Sequence, residues 1–154
     1  MKNKKGFTLI ELLVVIAIIG LLSTLAVVAL NNARIKSRDA RRVSDIKQMQ
    51  TAFELYMNDV GHYPAVVLAA ETCASADGDI DGCCISSGSG VDDDCTGTTF
   101  MAKAPADPLT TGTYVQDGDG ASTYSLQYTL EGITAGIIAG VHRATPAGID
   151  DGQG

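Results

Sequence analysis

The run from Phe7 to Leu30, FTLIELLVVIAIIGLLSTLAVVAL, limits what this chain can become more than any other feature. Its 24 residues hold one charge, Glu11, and a few small or polar positions, Thr8, Gly20, Ser23 and Thr24. As a helix it would be roughly 36 Å long, enough to cross a hydrocarbon layer of ~30 Å. A cleaved secretory signal has a shorter apolar region, about 7–15 residues, ended by small residues. Val27-Val28-Ala29 offers only a weak site of that kind, and the run is too long for it. The bland alternative is a plain single-pass anchor, and Glu11 argues against it. A carboxylate within a membrane span costs a few kcal/mol unless it has a partner or a role, and the run itself offers no partner. A cut just before Phe7 would create one: the new α-amino group would lie four residues from Glu11, about one helical turn away. Gly6 is the small, unhindered residue on the leader side of that bond.

Charge is segregated along the chain although the formal total is only -7. Lys2, Lys4 and Lys5 precede the run, and Arg34, Lys36, Arg38, Arg41 and Arg42 follow it. Between Glu71 and Asp119 ten acidic residues accompany a single base, Lys103. Such asymmetry implies different surroundings at the two ends. With 154 residues, no tryptophan and few aromatics, one modest domain with a small aliphatic core is expected.

The stretch KKGFTLIELLVVIAIIG resembles the processing and assembly signature of type IV pilins and of the pseudopilins of type II secretion. Basic leader, Gly-Phe junction, Glu at the matching offset and long apolar run all coincide. The resemblance implies a membrane-embedded prepilin peptidase that cuts between Gly6 and Phe7 and methylates the amine of Phe7. It also implies that Glu11 pairs with the amine of a neighbouring subunit during filament assembly. Many type IV pilins carry a proline late in the run, where the helix loosens in the filament; here the matching residues are Leu25-Ala26-Val27-Val28-Ala29. The lysines before the span are outnumbered by the bases after it, which alone favours the opposite orientation. The family places the leader in the cytoplasm, so the later bases would lie outside, facing acidic neighbouring subunits or lipid headgroups.

Helix-favouring sequence continues past Leu30. Neither proline nor glycine occurs from Asn31 to Val60, and Val43, Ile46, Met49, Phe53, Met57 and Val60 recur at three- or four-residue steps. Arg41 and Asp45 read as an i,i+4 pair on the polar side. Gly61 and Pro64 supply the stop. RDARRVSDIKQMQTAFELYMNDVGHYP is similar to the helix-to-loop passage of major pseudopilins, and APADPLTTGTYV to their Asp-Pro-containing loop, without its usual tryptophan.

The remainder reads as loops and a small antiparallel sheet. Tyr124, Leu126, Tyr128 and Leu130 alternate with polar residues, Gly136 to His142 fits a returning strand, and Thr113 to Gln116 a third. His62 and His142 have no catalytic or metal spacing and read as structural or solvent-facing. Cys73, Cys83, Cys84 and Cys95 lack paired C-x-x-C elements, so two extracytoplasmic disulfides are expected rather than zinc. Of three connectivities, the one joining adjacent Cys83 and Cys84 needs a strained ring; the other two join Cys73 and Cys95 each to one of that pair.

Asp77, Asp79, Asp81 and Gly82 fit the opening of a calcium loop, but position 88, where a closing glutamate belongs, is glycine. Asp92, Asp93 and Asp94 offer further oxygens. Asp117 and Asp119 form a second acidic turn, in the region where major pseudopilins bind calcium. Calcium is the one cofactor the residues suggest.

The expected fold is α+β: a long N-terminal helix, membrane-embedded in its first half, whose second half packs on a small antiparallel sheet with a disulfide-held loop. The expected segments are a leader at 1–6, a transmembrane assembly half at 7–30, an amphipathic half at 31–60 and a globular region at 61–154. The expected role is a filament subunit, of a pilus or a secretion pseudopilus. Its partners would be identical or related subunits, the prepilin peptidase, an inner-membrane assembly platform and, before assembly, the membrane. The precursor would be single-pass in the cytoplasmic membrane, and the filament would reach the periplasm or the cell surface. The alternative is a tethered, non-polymerising calcium-binding or adhesive module. No nucleophile–base pair or paired catalytic carboxylates suggest an enzyme, and the acidic domain offers no basic patch for nucleic acid.

Overall fold

The computed structural model describes residues 6–65, 80, 82–88, 90–92, 95–109, 112–117 and 122–150. The chain divides into two compact units, Met1–Ile35 and Lys36–Gly154.

Helix α1 runs from Leu9 to Val60. It begins two residues later than the apolar pattern suggested, because Thr8 caps it. It ends as expected at Gly61, whose φ of 89° needs no Cβ and whose N–H closes on the Met57 carbonyl at 2.9 Å. In the first unit every large apolar side chain from Phe7 to Leu30 is exposed. That part of α1 is long and apolar enough to cross a membrane. The helix stays regular through Leu25–Ala29. There Ser23 and Thr24 return their hydroxyls to the carbonyls of Ile19 and Leu21, at 2.7 and 2.8 Å, so neither leaves a polar group for lipid to solvate.

The second unit holds two antiparallel sheets. Strands β1 (Cys84–Ser86), β2 (Gly90–Asp92) and β3 (Thr99–Met101) form one in the order β2-β1-β3. Strands β4 (Val115–Asp117), β5 (Ser125–Leu130), β6 (Gly140–Thr145) and β7 (Gly148–Ile149) form the other in sequence order. The alternation read in β5 is present: Leu126, Tyr128 and Leu130 are buried. The returning strand lies later than expected, because residues 134–137 are used in a turn. Ala135 and Gly136 take φ values of 54° and 84°, and Thr134 and Ile137 exchange both backbone hydrogen bonds at 3.0 Å, as in a two-residue hairpin turn. Pairing with β5 then starts at Gly140 opposite Leu130. The first sheet was not foreseen; its strands are too short for periodicity to register.

The core joins the α1 stripe to the inner face of β5 and β6. Val43, Ile46, Met49 and Phe53 are buried, with Met57 and Val60 packed at the margin. It is not the aliphatic core that low aromatic content suggested. All five tyrosines are buried, and Tyr114, Tyr124, Tyr128 and Phe53 are its largest enclosed side chains. Phe53 and Tyr63 each meet the Tyr124 ring edge-to-face, at centroid distances of 4.8 and 4.9 Å. Burial pushes the phenols of Tyr124 and Tyr128 up to about 12, so both remain neutral.

Candidate functional site

The N-terminal junction is built by a capping box. Thr8 precedes the helix and Glu11 stands at its third helical position. The Glu11 N–H donates to Thr8 Oγ1 at 3.3 Å, while the Thr8 N–H and hydroxyl donate to Glu11 Oε2 at 2.8 and 2.7 Å. This reciprocal arrangement satisfies donors that a helix start otherwise leaves open. It corrects the reading that nothing in the run can partner Glu11. Its sequence signal is T-x-x-E before an apolar run. Gly6 and Phe7 lie exposed ahead of the cap in non-helical backbone, with nothing within 4 Å of a Cβ placed on Gly6.

Within the second unit, a charged cluster ties residues 38–42 of α1 to the loops. Arg42, only 3% exposed, donates to both oxygens of Asp107 at 2.7 and 2.9 Å, to Asp39 at 2.8 Å and to Glu131 at 2.7 Å. Asp39 in turn accepts the N–H groups of Glu131 and Gly132 at 3.0 and 2.8 Å. Arg38 forms a second fork onto Glu131. Held by Arg38 first and Arg42 next, the Glu131 carboxyl falls to about 2. The same carboxylates hold the Arg42 guanidinium firmly protonated. Two of the five bases after the apolar run are therefore satisfied inside the chain rather than facing neighbours or lipid.

Asp107 belongs to the Asp-Pro loop, and its Oδ1 also accepts the Leu109 N–H at 2.8 Å, the local turn that aspartate favours. Asp45 is not on the polar side as expected. It is buried, accepts the Tyr114 hydroxyl at 3.1 Å and meets Arg41 only at 3.7 Å. Burial raises its carboxyl, offset in part by Tyr114 and Arg41.

Cys84, the first residue of β1, and Cys95, in the segment between β2 and β3, form a disulfide. Cys83 is also disulfide-bonded; Cys73 lies outside the described residues. Asp77, Asp79, Asp81, Asp93, Asp94 and Asp119 lie outside them too. Asp117 ends β4, exposed and paired with Ser125. Among the described residues no group of three or more His, Cys, Asp or Glu is placed to hold a metal. His142 is buried, its ring nitrogens 2.8 Å from the Ile138 carbonyl and 3.2 Å from that of Asp150. His62 is exposed beside the Tyr63 carbonyl at 2.9 Å.

An apolar helix opened by a Thr-Glu box after an accessible Gly-Phe bond defines a class. Residues 1–27 match the family model of the prokaryotic N-terminal methylation motif. The chain is similar to the type II secretion system core protein G of Escherichia coli (strain K12), 38% identical over 74 residues, 48% of this chain and 51% of that protein. It is likewise similar to the type IV major fimbrial protein FimA of Dichelobacter nodosus, 45% identical over 56 residues, 36% of each chain. The fimbrial protein of Pseudomonas aeruginosa is 43% identical over 54 residues, 35% of each chain. The matches thus span about half the length of the secretion protein and about a third of the fimbrial ones. No solved structure gives a significant match.

Proposed function

We propose that this chain is a structural subunit of a type IV pilin-like filament, pilus or secretion pseudopilus, and is not an enzyme. The observation that carries the reading is the junction: an exposed, non-helical Gly6-Phe7 bond immediately before a capped apolar helix with Glu11 in its first turn. A peptidase requires reachable backbone outside a helix, and both residues are exposed and precede α1. Cleavage there removes residues 1–6 with Lys2, Lys4 and Lys5. Phe7 becomes the N-methylated first residue. Its amine is the charge that Glu11 lacks within an apolar layer, and a neighbouring subunit can supply it. Thr8 engages Oε2 of Glu11, and among the described residues Oε1 takes no hydrogen bond.

The remaining division follows: residues 7–30 for membrane storage and assembly, 31–60 as the helical spine of the domain, and 61–154 as its loops and sheets. The leader lies in the cytoplasm, the assembly platform meets the subunit in the inner membrane, and Cys73 pairs with Cys83 outside. Calcium at Asp77, Asp79 and Asp81, or at Asp117 and Asp119, is a proposal resting on sequence spacing alone.

Mass spectrometry of the purified protein tests the processing: a mature chain beginning at methylated Phe7 is expected, and an intact leader would refute it. Glu11→Ala should remain membrane-inserted yet enter filaments poorly. Normal filaments from that variant would remove the role given to Glu11.

A further inference from the structure

The two units are joined through α1 alone, so a pull on the apolar half reaches the second unit along the helix and enters it at Lys36. Among the described residues, the first side chains it meets that bond to another element are Arg38, Asp39 and Arg42. Arg38 donates twice to Glu131, Asp39 accepts the N–H groups of Glu131 and Gly132, and Arg42 reaches Asp107 twice and Glu131 once. Glu131 and Gly132 stand where β5 gives way to the apolar hairpin at 132–141, whereas Asp107 belongs to the Asp-Pro loop. The helix is thus tied at two separate places in the fold, both within its first turns past the unit boundary.

Beyond the cluster, α1 and β5 lie side by side in opposite directions. Asp39 meets Glu131 at one end, and Phe53 meets Tyr124, just before β5, at the other. Asp39 and Phe53 are fourteen helical residues apart, about 21 Å, and Tyr124 and Glu131 are seven strand residues apart, about 23 Å. Tension along α1 therefore loads this interface lengthwise, in shear. Its two kinds of contact resist differently. The bonds of Arg42 and Asp39 to the loops, at 2.7–3.0 Å, are lost within roughly 1 Å of displacement and so are stiff. Apolar burial falls only in proportion to the area exposed, so the Val43–Phe53 stripe gives way gradually. The stiff bonds stand at the loaded end. A helix without packing is marginal, and the apolar half is exposed throughout. Unwinding that starts there meets its first obstacle at Arg38.

We propose that the Arg38, Asp39 and Arg42 cluster is a mechanical stop: it halts unwinding and sliding of α1 under tension and keeps the helix from being stripped off the domain. The source of the tension, drawing the subunit from the membrane into a filament, rests on the role proposed above. The stop itself is built wholly within the second unit. The partly exposed Arg38–Glu131 fork adds little to equilibrium stability, yet at the loaded end it carries force. Resistance to pulling and resistance to urea are therefore set by different residues.

Single-molecule pulling of the full chain in detergent tests this. One handle is joined to the N-terminus and the other to an azide-bearing residue at exposed Ala102, so the load does not pass through β6 or β7. Arg38→Ala and Val60→Ala are compared with the otherwise unaltered chain, and urea midpoints are measured on the same three proteins. Val60 packs at the margin of the core, at the far end of the helix. Arg38→Ala should release the helix from the domain at a force about a quarter lower, because it removes two of the seven bonds from residues 38–42 to the loops. Val60→Ala should release it at the unaltered force, although its urea midpoint falls at least as far. An unchanged force for Arg38→Ala overturns the stop. Forces that follow the urea midpoints across the three proteins also overturn it, because ordinary stability then accounts for both. An intact leader on the purified chain would refute the filament role and leave the force result standing, so the two failures are distinguishable.

Discussion

Replacing Arg42 by alanine should be the most damaging single change in the second unit. The side chain is 3% exposed and neutralises Asp39 and Asp107, themselves 0 and 3% exposed, while also reaching Glu131. Its removal leaves two carboxylates enclosed without their counter-charge. Breaking a buried pair from one side costs about 3–5 kcal/mol, because the stranded charge keeps its desolvation penalty. For a unit of this size that is a fall in midpoint of roughly 10–20 °C. Arg38 makes a comparable fork onto Glu131, but the pair is 28 and 26% exposed. Water can replace it, and Arg38→Ala should cost about 1 kcal/mol or less. All five tyrosines lie in the second unit, so near-ultraviolet circular dichroism of the full chain in detergent reports that unit without interference from the apolar helix. Thermal and urea unfolding of the two variants would then be compared. If Arg42→Ala falls within about 1 kcal/mol of Arg38→Ala, burial is not what gives the cluster its weight, and the account above is wrong.

The Glu131 carboxyl titrates near 2 in the folded chain against 4.5 ordinarily. A lowered carboxyl contributes stability that is complete above the ordinary value and lost as pH falls through the folded one. Wild type should therefore weaken between about pH 4.5 and 2, and Glu131→Gln should lack that part of the slope in an acid-unfolding series. A Cβ on Gly112 would stand 2.5 Å from the Asp107 carboxyl carbon. Gly112→Ala should thus cost about 1–3 kcal/mol by urea unfolding, and markedly less when Asp107 is already alanine. The Cys84–Cys95 bridge spans 11 positions. Cys84→Ser with Cys95→Ser should lose about 3 kcal/mol in the chain-entropy account, read from the urea midpoint under oxidising conditions.

The apolar run, the Val43–Phe53 stripe and the β5 alternation all rest on short-range pattern, and sequence alone determined them. A helix start is likewise a local event, so the Thr8–Glu11 cap is readable from spacing alone. The tertiary structure decided what depends on residues far apart in the chain. Arg42 and Asp107 are 65 positions apart, and neither spacing nor composition marks them as partners. Arg38 and Arg42 look like part of a solvent-facing basic patch until folding brings Glu131 and Asp107 to them. The tyrosine core has the same cause. Five rings spread between Tyr56 and Tyr128 are few by count, yet they fill one interior because the helix face and the four-stranded sheet converge on them. The apolar hairpin took its meaning from folding as well: in sequence it read as a returning strand, and only the clamp on Asp39 brought it to the start of the domain helix.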